Sequence, residues 1–144
     1  MLVTRDEIIQ YIPQRDPLVM IHDIVQATHT HAVTRFEVLS NNVFVKDGFL
    51  REPGLVENIA QTAAAQMGYM YKKKGMSVPI GYIASIKDLN VFGFPPMGAV
   101  LNTSVKIIHQ VMNVILVEGF VHFDGSVICQ CEMRIFIEKE SSSE

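Results

Sequence analysis

The chain has 144 residues, 49% of them apolar and 19% charged, with 12 Lys+Arg against 15 Asp+Glu for a formal charge of -3. That length holds one ordinary domain, that apolar content excludes disorder, and a chain with no basic excess and no Trp is poorly equipped to grip phosphates or stack bases. The two cysteines, Cys129 and Cys131, make no disulfide framework; no window approaches the ~20 uncharged apolar residues of a membrane span.

In chain order, Arg5, Asp6 and Glu7 stand where a signal peptide would need an apolar run. Thr4 and Glu7 have the spacing of a capping box, which predicts a short helix through Tyr11 that Pro13 stops. Leu18–Val25 and His31–Leu39, joined by Ala27-Thr28-His29-Thr30, predict two antiparallel strands. Asn41–Pro53 is rich in Asn, Asp, Gly and Pro and predicts a long irregular connection, a length that in small domains often carries function. Leu55–Lys74 predicts a long helix with one apolar stripe through Val56, Ile59, Ala60, Ala63, Ala64, Met67, Gly68 and Tyr71. Ala63, Ala64 and Gly68 make that stripe small, so a neighbour can approach the helix axis closely. Lys72–Lys74 and Gly75 close it, with positive charge on the negative dipole end and then a glycine cap.

The remainder predicts four strands, Pro79–Leu89, Ala99–Ile108, Val114–Phe123 and Ser126–Ile137, the last two joined by the hairpin dipeptide Asp124-Gly125. Val127, Cys129, Cys131, Met133, Ile135 and Ile137 occupy alternate positions, which is a sheet with one buried face. One long helix can bury its stripe only against that sheet. The expected architecture is α+β, an antiparallel sheet of six strands wrapped around one central helix. It forms a single domain, 1–140, followed by a polar tail, 141–144.

That element order resembles the hotdog fold, and three motifs carry the resemblance further. Ile12-Pro13-Gln14-Arg15-Asp16-Pro17-Leu18 resembles the L-P-H-R-x-P-F opening of the 3-hydroxyacyl-[acyl carrier protein] dehydratases of the FabZ type. Glu57-Asn58-Ile59-Ala60-Gln61 resembles their E-x-x-A-Q helix motif, and Phe123–Cys129 their closing hairpin. The resemblance spans Ile12 to Ile137. It implies elimination of water from a 3-hydroxyacyl thioester. A His of a G-H-F motif removes the α-proton, the helix Glu acts as acid, and a backbone N–H at the helix start holds the thioester carbonyl.

Carried over position by position, Glu57 is the helix acid and Gln61 the motif glutamine. Asp47-Gly48-Phe49 lies on G-H-F, so Gly48 stands where the His would be; an ungapped alignment from Glu57 places Val43 there instead. Gln14 replaces the His of the opening motif, and His22 replaces an Asp. The chain resembles a His-less branch of dehydratase-like hotdogs associated with aryl-polyene-type pigment pathways.

The expected catalytic residues are therefore Glu57 with Asp47 or His22 as replacement base, the base otherwise coming from a partner chain. The expected substrate-binding residues are Gln61, Asn58, Gly54, Leu55, Gly48 and Phe49. Each has a plainer reading. Glu57 is an anion favoured by the helix dipole at ~0.3–1 kcal/mol. Asp47 is a turn residue, and as a base it would need burial to raise its pKa. His29 and His31 lack a third metal ligand, and Cys129 and Cys131 are core thiols. Lys72–Lys74 either complete the dipole or dock an acidic acyl carrier protein. The expected partners are an acyl thioester, an acyl carrier protein, and a second hotdog subunit of the same or another kind. No nucleic acid, membrane, cofactor or metal is expected, and the expected location is cytoplasmic. An acyl thioesterase using Glu57 and a non-catalytic acyl-binding or partner subunit are the alternatives.

Overall fold

A computed structural model describes residues 1–138; the polar tail, 141–144, lies outside the described residues. The chain opens with a 3₁₀ helix, Arg5–Gln10, followed by strands β1 (Asp23–Ala27) and β2 (His31–Glu37). A small hairpin, β3 (Val45–Lys46) and β4 (Phe49–Leu50), precedes helix α1 (Glu52–Lys73). Strands β5 (Ile80–Val91), β6 (Val100–Val111), β7 (Val114–Phe123) and β8 (Ser126–Glu138) complete the described chain. The six long strands form one sheet in the order β1-β2-β6-β7-β8-β5, antiparallel at every junction. The sheet curls around α1, as the sequence predicts.

The pleat decides which side chains meet the helix. Along β8, Cys129, Cys131, Met133, Ile135 and Ile137 are buried, while Arg134 and Phe136 face outward. Leu101, Thr103 and Val105 of β6 and Ile115, Val117 and Val121 of β7 point the same way into the core. The turn between β7 and β8 has positive φ at both Asp124 (54°) and Gly125 (82°), the type I′ geometry that this dipeptide favours.

Four local expectations change. The first helix is 3₁₀, and Thr4 caps it without a side-chain bond; the Glu7 N–H bonds the Thr4 carbonyl instead. Strand β1 begins at Asp23, five residues after the expected start, because Leu18 and Met20 give their backbone groups to α1 side chains instead of a neighbouring strand. The irregular connection contains the β3–β4 hairpin, closed by Asp47 (φ 55°) and Gly48 (φ 85°) in another I′ turn. Helix α1 starts at Glu52, since Pro53 sits in the first turn where its missing N–H costs nothing.

The C-terminus of α1 is a Schellman motif. The Met76 N–H bonds the Tyr71 carbonyl at 2.9 Å and the Gly75 N–H bonds Lys72 at 3.0 Å, with Gly75 at φ 75°. The small stripe has its reason at Gly68. A β-carbon there would stand 1.8 Å from the Tyr11 carbonyl oxygen, so the opening segment crosses α1 in backbone contact.

Helix α1 is buried on more than the expected stripe. Asn58, Gln61, Thr62 and Gln66 are buried along with its apolar residues, and each spends its polar atoms. Asn58 donates to the Met20 carbonyl at 2.8 Å and accepts from the Thr103 hydroxyl. Thr62 bonds Thr34 at 2.6 Å and the Asn58 carbonyl at 2.8 Å. Gln66 donates to the carbonyls of Thr28 and His29. The bonds to Met20, Thr28 and His29 fasten backbone outside or at the ends of the strands to the helix, as a buried backbone requires.

Candidate functional site

Gln61 organises the site. Its Oε1 accepts the Met20 N–H at 2.6 Å, and its Nε2 donates to the Leu18 carbonyl at 2.7 Å and to Oε1 of Glu57 at 2.9 Å. The i,i+4 spacing on α1 puts the amide beside the carboxylate. Both of its N–H donors are used, and the one it gives Glu57 holds the carboxylate at Oε1.

Half-buried Glu57 lies on the wall of a cavity of about 300 Å³. The helix side is Ala60, Ala63, Ala64 and Met67; the sheet side is Ile115, Ile135, Ile137 and the start of β5 from Gly81 to Ile83; Gln14 is a further polar lining residue. Alanines at i, i+3 and i+4 leave room between helix and sheet that larger side chains would fill. A mostly apolar cleft with a few convergent polar groups is the usual form of a small-molecule site.

The other expected residues fall elsewhere. Asn58 is fully buried and faces Met20 and Thr103, away from the cavity. Gly54 and Leu55 are also buried, and both of their N–H groups bond the Arg51 carbonyl, at 2.9 and 3.2 Å. Asp47, Gly48 and Phe49 belong to the β3–β4 hairpin and do not line the Glu57 cavity. The Asp47 side chain is 80% exposed and 3.9 Å from the Arg51 guanidinium, so in the single chain it faces solvent and not an enclosed site. Arg51 fixes this hairpin by donating to the Lys46 carbonyl at 2.7 and 2.9 Å and lying over the rings of Phe49 and Phe94.

His22 occupies a second cavity, with Arg5, Asp16 and Phe36, that shares no lining residue with the first. Its Nδ1 accepts the Glu37 N–H at 3.1 Å, its Nε2 meets the Arg5 guanidinium at 3.0 Å, and its ring packs on Phe36 at 4.6 Å. Burial, then the Arg5 charge, lower its pKa to about 4 against the opposing pull of Asp23 and Asp16. An imidazole lowered this far is neutral near pH 7 and weakly basic.

Cys129 and Cys131 are buried free thiols, pushed by burial to about 12 and about 11, with Cys131 and Glu52 adding to the rise at Cys129. They are not nucleophiles. His29 lies in the β1–β2 turn and His31 opens β2. Lys72 lies over the Tyr11 ring at 5.5 Å, and Lys73 and Lys74 are exposed.

Gln14 is the site residue that the list of expected residues lacks. Its legible signal was its place in the opening motif, where it replaces a His.

Comparison with known proteins agrees with this geometry. The family model described as ApeP-like, ApeP dehydratase, matches residues 6–143. A curated relative from Pseudothermotoga lettingae, 3-hydroxyacyl-[acyl-carrier-protein] dehydratase FabZ, is 26% identical over 139 residues, covering 93% of this chain and 96% of the relative. A FabZ from Oceanobacillus iheyensis is also 26% identical, covering 92% of this chain and 97% of the relative. Among solved structures, the dehydratase heterocomplex ApeI:P from Xenorhabdus doucetiae superposes with a TM-score of 0.85 at 17% identity, covering 94% of this chain and 91% of that chain. A hypothetical thioesterase with coenzyme A from Streptococcus pneumoniae reaches 0.66 at 15% identity, covering 83% and 90%. These structures share the hotdog fold. No helix among the described residues is long and apolar enough to cross a membrane. The extent of the family match settles the assignment: the chain belongs to the ApeP-like dehydratases, a FabZ-like hotdog family.

Proposed function

We propose that the chain supplies the acid half of a dehydration site for 3-hydroxyacyl thioesters carried on acyl carrier protein, and that a second hotdog subunit supplies the base. The observation that carries this reading is the Glu57–Gln61 pair on the wall of an apolar cavity. The acyl chain lies along Ala60, Ala63 and Ala64. A base takes the α-proton, and the C–H electron pair becomes the C2–C3 double bond. The C3–O bond breaks as Oε2 of Glu57 gives its proton to the departing oxygen, and water leaves. Gln61 holds Oε1, so the acid presents one oxygen in one orientation.

The second subunit follows from two features. No histidine lines the Glu57 cavity. The cavity's sheet-side wall includes β5, an edge strand with an open row of backbone groups and exposed Ile80, Tyr82, Ile83 and Ile86. Such an edge is suited to pairing with another chain. The heterocomplex named for the Xenorhabdus doucetiae structure and the carrier-protein substrate in the name of the FabZ relatives are consistent with this assignment. A carrier-protein substrate is consistent with a cytoplasmic location.

The test follows enoyl formation and free thiol release on 3-hydroxyacyl and saturated acyl thioesters, with the chain alone and with a co-purified hotdog partner. Enoyl product should fall at least ~100-fold in Glu57→Gln, the lower bound for loss of a general acid. Thiol release from saturated substrates that depends on Glu57 would instead establish a thioesterase. Full activity of Glu57→Gln in both assays would refute its role.

A further inference from the structure

We infer that Met67 is the stop that sets how long an acyl chain the Glu57 cavity accepts. This role rests on the proposed dehydration site and names its length-determining residue. On the helix side the cavity wall begins at Glu57 and ends at Met67, with Ala60, Ala63 and Ala64 between them. That stretch of helix rises about 15 Å along its axis. No α1 residue before Glu57 lines the cavity, so a chain whose C3 sits at the acid has room only toward the C-terminal end of the helix.

The sheet fixes the same direction. A β-carbon on Gly119 would stand 2.4 Å from Ile59, so β7 crosses the helix in close contact near Glu57. Gly119 pairs with Cys131 of β8. The other end of β8 lies by the far end of the helix, because the short loop after Lys73 leads directly into β5, whose first residue, Ile80, pairs with Glu138. Ile135 and Ile137 of the cavity wall belong to that end of β8, and Gly81 and Ile83 are their β5 partners. Buried Pro79, on the loop from the helix end, lines the cavity as well.

Met67 is the first large side chain that α1 places on this path. Side chains on a helix lean toward its N-terminus, so Met67 covers the turn of Ala63 and Ala64 and not the turn beyond it. It is 7% exposed. Its backbone cannot retreat, because the next residue, Gly68, touches the Tyr11 carbonyl. The room left for a chain therefore depends on the side chain at position 67. Truncation to Ala removes Cγ, Sδ and Cε, and opens space for about three methylenes.

The experiment uses the full chain in the oligomeric form in which it purifies, with Glu57→Gln as background so that no turnover occurs. Affinities are measured for saturated acyl pantetheine thioesters of increasing length. Each methylene that enters the cavity should tighten binding about fourfold, and the gain should stop at one length. Adding Met67→Ala should move that stop to chains longer by about three methylenes, and adding Met67→Phe should move it to shorter ones. Opposite shifts from two substitutions at one position are not the mark of a general loss of stability. Met133→Ala is the control: Met133 is equally a core methionine but is not on the cavity wall, so its loss should lower Tm and leave the stop in place. A stop that stays put in both Met67 variants, or affinity that keeps rising with length in the background chain, would overturn the inference. Enoyl formation from 3-hydroxyacyl thioesters of the same lengths, with Glu57 restored and a hotdog partner present, separates the two readings. Enoyl product whose length limit ignores position 67 sinks the role of Met67 and keeps dehydration. A stop that follows position 67 with no enoyl product at any length keeps the role of Met67 and sinks dehydration. If no thioester binds at any length, both fall.

Discussion

Replacing Gln61 with Met keeps the side-chain length and removes every hydrogen bond it makes. Two backbone groups then lose their partners, the fully buried Met20 N–H and the part-buried Leu18 carbonyl. An orphaned buried donor costs about 1–3 kcal/mol, and a lost bond at a partly hydrated group about 0.5–1.5, for a sum of roughly 2–4 kcal/mol. Unfolding entropy of about 2.1 cal/mol/K per residue gives ~0.3 kcal/mol/K for a chain of this length, so Tm should fall by about 7–13 °C. Glu57→Gln is the control. It keeps an oxygen to accept from Gln61, so its Tm should stay within about 3 °C while activity collapses. Thermal unfolding gives the shift, and hydrogen exchange at the Met20 amide gives the local cause, protected in the wild type and exchanging faster in Gln61→Met. If Gln61→Met lowers Tm no more than Glu57→Gln does, Gln61 does not fasten the opening segment to the helix.

Two further outcomes test the packing and the electrostatics. Gly68→Ala should destabilise by about 3 kcal/mol or more in urea denaturation, because its β-carbon meets the Tyr11 carbonyl oxygen at 1.8 Å; helix propensity alone would stabilise by about 1 kcal/mol, so the sign decides. The His22 imidazole should titrate by NMR at about 4, below the ordinary 6.5 of a free imidazole. The unfolded chain then binds the extra proton between those values, so stability is full above about pH 6.5 and falls as pH drops toward 4. His22→Gln should flatten that part of the stability profile.

The fold was legible where the physics is periodic. The alternation along β8, the Asp124-Gly125 turn and the long helix each fix their own element, and together they leave one way to bury the helix. Strands β3 and β4 have no period to read, being two residues each. The polar helix residues misled for a different reason. Asn58 and Gln61 read as substrate ligands and Thr62 and Gln66 carried no expectation, yet from Leu55 to Tyr71 the only charged residue is Glu57. A face turned to water would carry Lys and Glu; uncharged polar residues are what a helix uses to hold buried backbone. That absence of charge was the available signal. What the sequence could not show is that Gln61 bonds the opening segment at Leu18 and Met20.

The edge strand ties the site to assembly. Two bulges interrupt β5, between Ile83 and Ser85 and between Lys87 and Asn90, and bulges and lysine are among the means by which sheets blunt an exposed edge. They leave the stretch before the first bulge regular, and that stretch is the apolar one, with Ile80, Tyr82 and Ile83 exposed. Gly81, Tyr82 and Ile83 are also the β5 residues on the cavity wall. The part of the edge left open to pairing is thus also the part that walls the Glu57 cavity. A subunit docked there would remove apolar surface from water and bring its own side chains to the cavity in one step. On the proposed reading, the chain then reaches its active state and its stable state by the same contact. Charges introduced at Ile80 and Ile83 should therefore abolish partner binding and enoyl formation together while leaving the Gln61–Glu57 bond, on the helix side, intact.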